Sequence, residues 1–253
     1  MSTLHSAIAS LQFNRTRTLA TLDRVLAASE PQRALGWQPG PGRAHGVFRE
    51  PEEMMAKALD GIVVLDLTQY EAGPSCAQML GWLGADVIKI EPPGGEPGRR
   101  MVSENVELDA WFFLMLNNNK KAITLDLKAP EGRAILKRMV ERADVLIENF
   151  GPGSFERLGF GWEDLRRMNP RIISASVKGF GSTGPYANYK SFEMIAQAMG
   201  GAMSVTGTAD GPPSKVEAGL RGTGAGLPFG LRNFAAIGPR PTTRAGPALR
   251  ASR

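Results

Sequence analysis

The chain has 253 residues, 42% of them apolar and 22% charged, enough for one large soluble domain with a real core. Cys76 is the only cysteine and His5 and His45 the only histidines, which excludes an internal disulfide and argues against a Cys/His zinc cluster or a Ser-His-Asp triad, and favours a reducing, cytoplasmic setting. The net charge of +5 does not point to nucleic acid, because Arg232, Arg240, Arg244, Arg250 and Arg253 in the acid-free last stretch account for all of it.

Residues 1–54 open with one helical pattern, LHSAIASLQFNRTRTLATLDRVLAA, followed by the breaker QPGPGRAHG. They read as a partly helical extension, unrelated or disordered, and Met54 or Met55 stands where a natural start would suit. No run reaches the roughly 18 apolar residues of a membrane span.

From residue 55 to 226 strands alternate with helices. GIVVLDL is β-branched and apolar, a buried strand. GPSCAQMLGWLG follows as a short helix with Pro74 in its first turn. ADVIKIE is a second strand, PPGGEPGRR a loop and AITLDL a third strand. In APEGRAILKRMVERA, Ile135, Leu136, Met139 and Val140 make one apolar helix face. DVLIENF is a strand, FERLG and WEDLRRM are short helices, RIISASV is a strand, and SFEMIAQAMG a helix. This order predicts an α/β fold, a Rossmann-like, mostly parallel sheet with flanking helices. Ligands then bind at the carboxyl ends of the strands, which here read QYEAGP, EPPGGEPGRR, NFGPG and KGFGSTGP.

Gly179, Gly181 and Gly184 spell G-x-G-x-x-G after a strand. A dinucleotide turn must run straight into a helix whose amino end takes the pyrophosphate. Pro185, Tyr186, Ala187 and Asn188 make a turn instead, so the glycines predict a wide loop whose backbone comes close to a ligand. After Gly226 the Pro228 and later Gly-Pro pairs argue against a long helix, and residues 227–253 read as a basic, disordered tail.

Several motifs agree on one family. LDLTQYEAGPSCAQMLGWLGADVIKIEPPGGEPGR, NNNKKAITLDLK, ADVLIENFGPGSFERLGFGWEDLRRMNPRIISASVKGFGSTGPY and QAMGGAMSVTGTADGPPSKVEAGL resemble the family III coenzyme A transferases, the formyl-CoA transferase-like group, over about the first half of that family's length. The resemblance implies a large α/β domain, a smaller second domain and an interlocked homodimer. It implies transfer of coenzyme A between an acyl-CoA and a small carboxylic acid, with no metal, nucleic acid or membrane. The CoA-contacting positions it implies are Gln69, Tyr70, Leu125, Lys128, Asn149, Phe150, Arg157 and Lys190. Glu71 falls where a glutamine often lies beside the acyl group, and Pro92 where a relative can carry an arginine. Taken alone, each Lys or Arg reads as a solvated side chain and Asn149 as a helix cap.

In that family an aspartate attacks the acyl thioester and then carries CoA as an aspartyl-CoA thioester. The matching position here is Gly222, which has no side chain. Asp210, in a turn, and Glu217 do not match it. The resemblance therefore predicts a truncated, inactive transferase whose sheet exposes apolar faces. The alternatives are a non-catalytic CoA-binding module and, in another class, a thiol enzyme using Cys76 at a helix amino end.

Overall fold

A computed structural model describes residues 57–101, 109–216, 220–238 and 248–252. The amino-terminal extension, His5, His45, Met54 and Glu217 lie outside the described residues.

The elements in chain order are β1 (Val63–Asp66), α1 (Ala72–Trp82), β2 (Asp86–Glu91), a 3-10 turn (Pro97–Arg100), α2 (Trp111–Asn117), β3 (Lys121–Thr124), α3 (Pro130–Val140), β4 (Val145–Glu148), α4 (Ser154–Arg157), α5 (Trp162–Met168), β5 (Ile173–Lys178), α6 (Glu193–Met199), a second 3-10 turn (Ala202–Val205), α7 (Leu220–Ile237) and β6 (Ala248–Ser252). The strands form one sheet in the order β3-β2-β1-β4-β5-β6, and every pairing is parallel. The predicted α/β class holds.

Burial on both faces explains the near-continuous apolar strands. Successive side chains point to opposite faces. Leu65, Ile88 and Leu146 join one core cluster with Leu136 and Met139 of α3, Phe155 of α4 and Leu165 of α5. Their neighbours Val64, Val87, Val145 and Ile147 join another with Cys76, Ala77 and Leu80 of α1 and Phe229 of α7. The sheet's faces are thus covered, contrary to the expectation that they lie bare. Exposed apolar residues sit off the sheet instead, among them Met194, Ile195 and Met199 on α6, Leu227, Leu231 and Phe234 on α7, and Tyr186, Tyr189 and Phe192 in the loop after β5.

Three elements depart from the sequence reading. The helix α2 has no counterpart in it. Among the described residues after Gly226 the expected tail is a helix instead: α7 runs through Pro228 to Ile237. Proline in a helix interior costs about 3 kcal/mol. Offsetting that cost, Phe229 is 1% exposed, Asn233 is fully buried, and Gly226 and Gly230 let the helix lie close on α1. Finally, ALRAS forms β6 by pairing with β5, from Ser174 opposite Ala248 to Lys178 opposite Ser252. An open strand edge presents unpaired backbone groups, and these recruit a segment with little strand pattern of its own.

Candidate functional site

The strand order changes direction at β1 and β4. From β1 the chain builds outward through β2 to β3, and from β4 through β5 to β6. In open parallel sheets the crevice at such a switch point, outside the carboxyl ends, is where ligands bind. Gln69 and Tyr70 leave β1 there, and Asn149 and Phe150 leave β4.

The two loops are tied together. The Asn149 side chain accepts the Gln69 N–H at 2.9 Å and donates Nδ2 to the Gln69 carbonyl at 2.7 Å. Asn149 thus imitates a strand neighbour rather than capping a helix. Tyr70 has φ of 65°, the one non-glycine residue in the left-handed region among the described residues. Its ring meets Phe192 edge-on, with centroids 5.7 Å apart. Phe150 stacks on Phe155, and Phe155 on Phe160, which anchors the β4 loop to the core.

Cations stand over the glycines of NFGPG. A methyl group at Gly151 would lie 3.4 Å from Lys190 Cε, and one at Gly153 would lie 2.8 Å from Arg157 Nη1. Gly153 also has φ of 70°, so the turn into α4 suits glycine twice over. Arg157 donates to Ser154 Oγ at 2.9 Å. Among the described residues no carboxylate pairs with Arg157, Lys190 or Lys128. All three are exposed. Lys128 lies farther along the same edge, after β3, where its N–H is donated to Asp126 Oδ1. Leu125 is in the core, and its N–H is donated to the Glu91 carbonyl.

Glu71 precedes α1, with its carbonyl accepting the Ser75 N–H at 2.8 Å. Gly222 lies in the first turn of α7. It is one turn, roughly 6 Å, ahead of Gly226 along the helix and on the same face. Gly226 itself approaches Ala72 and Ser75 at the amino end of α1. Gly222 is therefore carried toward the edge that holds Gln69 and Tyr70. Pro92 and Asp210 are exposed, and Asp210 sits in the turn closed by the Gly211 N–H to Thr208 carbonyl bond.

The KGFGSTGP glycines do not lead into a helix. The chain bends and turns from residue 179 to 192, and α6 begins only at Glu193. Gly179 packs so close to Ser191 that a methyl group there would stand 2.7 Å from the Ser191 nitrogen. Its bare backbone thus lets the loop close on itself.

Beneath the crevice lies a charged layer that the sequence reading did not find. Asp66 is fully buried and takes Lys120 Nζ at 2.9 Å. Burial pushes its carboxyl up, but Lys120 and Lys89 outweigh that and hold it at about 2. Burial brings Lys120 down to about 8, with Asp66 pulling the other way. Lys89 pairs with Glu96 at 2.7 Å and donates to the Thr68 carbonyl at 2.9 Å. Glu91 takes Arg99 through both oxygens at 2.7 Å, and Arg99 also reaches Asp109 at 2.6 Å. On the other side Lys178 pairs with Glu148 at 2.7 Å and donates to the Phe150 carbonyl at 2.9 Å. The signal was present: Asp66, Lys89, Glu91 and Glu148 interrupt or end otherwise apolar strands, and such charges are buried only when paired.

Cys76 is no nucleophile here. It is fully buried on α1, and burial together with the nearby Asp66 carboxylate pushes its thiol up to about 12. Among the described residues no cluster of three His, Cys, Asp or Glu side chains could hold a metal ion, and no helix is long and apolar enough to cross a membrane.

The family model for CoA-transferase family III matches residues 59–249. A formyl-CoA:oxalate CoA-transferase of Streptomyces avermitilis is 47% identical over 192 residues, covering 76% of this chain and 47% of the relative. One from Rhodopseudomonas palustris is 46% identical over 199 residues, covering 78% and 47%. Among solved structures, a CAIB/BAIF family protein from Brucella suis superposes with a TM-score of 0.73 at 37% identity, over 77% of this chain and 53% of that one. A hypothetical protein from Mycobacterium tuberculosis gives 0.72 at 34% identity, over 78% and 55%. The chain spans about half the length of the curated relatives it matches.

Proposed function

The chain belongs to CoA-transferase family III, and on that premise we propose that its carboxyl edge is the CoA-holding half of an acyl-CoA:carboxylate CoA-transferase site. The observation that carries this reading is the crevice between β1 and β4. It joins Gln69–Tyr70 to Asn149–Phe150 and sets Arg157 and Lys190 over the adjoining glycines. CoA presents phosphates, which suit unpaired cations and backbone N–H groups, and a purine, which suits an aromatic face. Arg157, Lys190 and Lys128 answer the first need, Tyr70 and Phe150 the second. Relatives are named for formyl-CoA and oxalate, and we extend this to small carboxylic acids as donor and acceptor. The single cysteine suits a reducing, cytoplasmic setting. The exposed apolar residues of α6 and α7 suit cover by a second domain or a second copy of the chain.

The chemistry needs a carboxylate at position 222. In the reaction the family resemblance implies, that carboxylate attacks the thioester carbonyl, expels CoA thiolate and forms a mixed anhydride. The thiolate then attacks the aspartyl carbonyl, releasing the donor acid and leaving an aspartyl-CoA thioester for the acceptor. Gly222 supplies no oxygen for the first step. The chain as written therefore holds CoA without transferring it, as a binding module, and Glu71 beside the amino end of α1 stands next to the acyl group without a nucleophile to assist. Calorimetric titration with CoA and an exchange assay between acyl-CoA and free acid test this together. Binding without exchange is expected. Robust turnover by the pure chain would overturn the role given to position 222, and absence of binding would overturn the site.

A further inference from the structure

The residues after β1 are held with unusual completeness. The Thr68 N–H is donated to Asp66 Oδ1 at 2.9 Å, and the Thr68 carbonyl accepts Lys89 Nζ. Both backbone groups of Gln69 are bonded to Asn149. The Tyr70 N–H is donated to Glu96 Oε1 at 2.7 Å. Side chains from β1, β2, the loop after β2 and the loop after β4 thus take five of the six backbone groups of residues 68–70. Backbone in a sparsely populated region persists only where its surroundings over-determine it. A tyrosine with φ of 65° is such a case, because its Cβ crowds the following carbonyl there. Glu96 is well placed to impose it. The Glu96 carboxylate is buried and ion-paired with Lys89 at 2.7 Å, and the Glu96 backbone N–H is donated to Glu91 Oε2 at 2.9 Å.

We propose that Glu96, fixed by Lys89, is a positioning residue that holds Tyr70 in the left-handed conformation and so presents Gln69 and Tyr70 to the ligand in the crevice. This rests on the CoA reading for the identity of the ligand, but not for the device itself. The pair Lys178–Glu148 does the same for the opposite wall: Glu148 Oε2 accepts the Phe150 N–H at 2.8 Å while Lys178 holds its carbonyl. Two Glu–Lys pairs, each with its carboxylate buried, thereby hold the backbone of the two aromatic residues that flank the switch point. Neither carboxylate needs to touch the ligand.

Two readouts on the full chain separate this role from plain stabilisation. The first is amide hydrogen exchange at Tyr70. Glu96→Ala removes the charged acceptor and speeds that exchange about tenfold or more, while β4 and β5 keep their protection. The second is CoA affinity in two backgrounds. Glycine adopts φ of 65° without help. Glu96→Ala therefore weakens CoA binding about tenfold where residue 70 is tyrosine, and less than about threefold in a Tyr70→Gly background. Should Glu96→Ala not fold, Glu96→Gln makes the same comparison with a smaller factor, about threefold against none, since a neutral acceptor is weaker than a carboxylate. Unchanged exchange at Tyr70, or equal losses in both backgrounds, overturns the proposal. If the wild-type chain binds no CoA, the functional reading falls while the exchange measurement still decides the role of Glu96.

Discussion

Gly226→Ala tests how α7 meets α1. A methyl group at 226 would stand 2.0 Å from Ser75 Oγ and 2.8 Å from the Ala72 carbonyl oxygen. The serine can rotate, at the cost of its 3.1 Å bond to that same carbonyl. The carbonyl is helix backbone and cannot. Ordinary carbon contacts need about 3.5 Å, so α7 must retreat by roughly half an ångström or more and loosen Phe229 and Asn233, both buried below it. Overpacking of this kind costs about 1–3 kcal/mol, against about 1 kcal/mol returned by alanine's better helix propensity. Gly224, two residues earlier in the same helix, has nothing within 4 Å of a Cβ. Gly224→Ala should therefore stabilise by about 1 kcal/mol, and the two variants should differ by about 1–3 kcal/mol in opposite senses. Urea unfolding followed by circular dichroism measures both. If Gly226→Ala stabilises as much as Gly224→Ala, α7 does not lie on α1 as described.

Other outcomes follow from the crevice and the layer beneath it. Asp66 has its folded carboxyl at about 2 against an ordinary 3.8, so its contribution, on the order of 2 kcal/mol, is whole above pH about 4 and is lost as pH falls toward 2. Lys120→Met should move that acid transition to higher pH, because the strongest opposing charge is gone; an unmoved transition in an acid titration would refute the pairing. Asn149→Asp places a carboxylate oxygen against the Gln69 carbonyl and should destabilise by about 1–3 kcal/mol in the same urea assay, with wild-type stability as the refuting result. Gly222→Asp in this chain should give no acid-stable CoA adduct by mass spectrometry with an acyl-CoA, because a nucleophile needs an enclosed near-attack geometry. The same substitution joined to the remaining length of a relative should give one, and its absence there would mean that position 222 is not the nucleophile's.

What was legible in the sequence follows from which contacts are local. The runs GIVVLDL, ADVIKIE, DVLIENF and RIISASV announce themselves, because a strand buried on both faces must be apolar at nearly every position. The family motifs then place Gln69, Tyr70, Asn149 and Phe150 at strand ends, and the sheet order brings them to one crevice. The helix α7 was not legible, because Pro228 and three glycines between 222 and 226 all argue against a helix locally. Two of its glycines serve a different need: Gly226 and Gly230 face Ser75 and Met79 of α1, contacts that span some 150 positions of chain. Glu96 hid for the same reason. In EPPGGEPGRR it reads as one polar residue of a turn-rich loop, and nothing nearby says that its carboxylate holds an amide 26 residues earlier. Its partner Lys89 was the better clue. A lysine inside ADVIKIE cannot stay buried as a charge without a carboxylate at hand, and among the acids around the end of β2, Glu96 lies 2.7 Å from it while Asp66 lies 3.8 Å away. A charge that interrupts an apolar strand therefore marks a long-range pair, and here the partner of that pair is the residue that shapes the site.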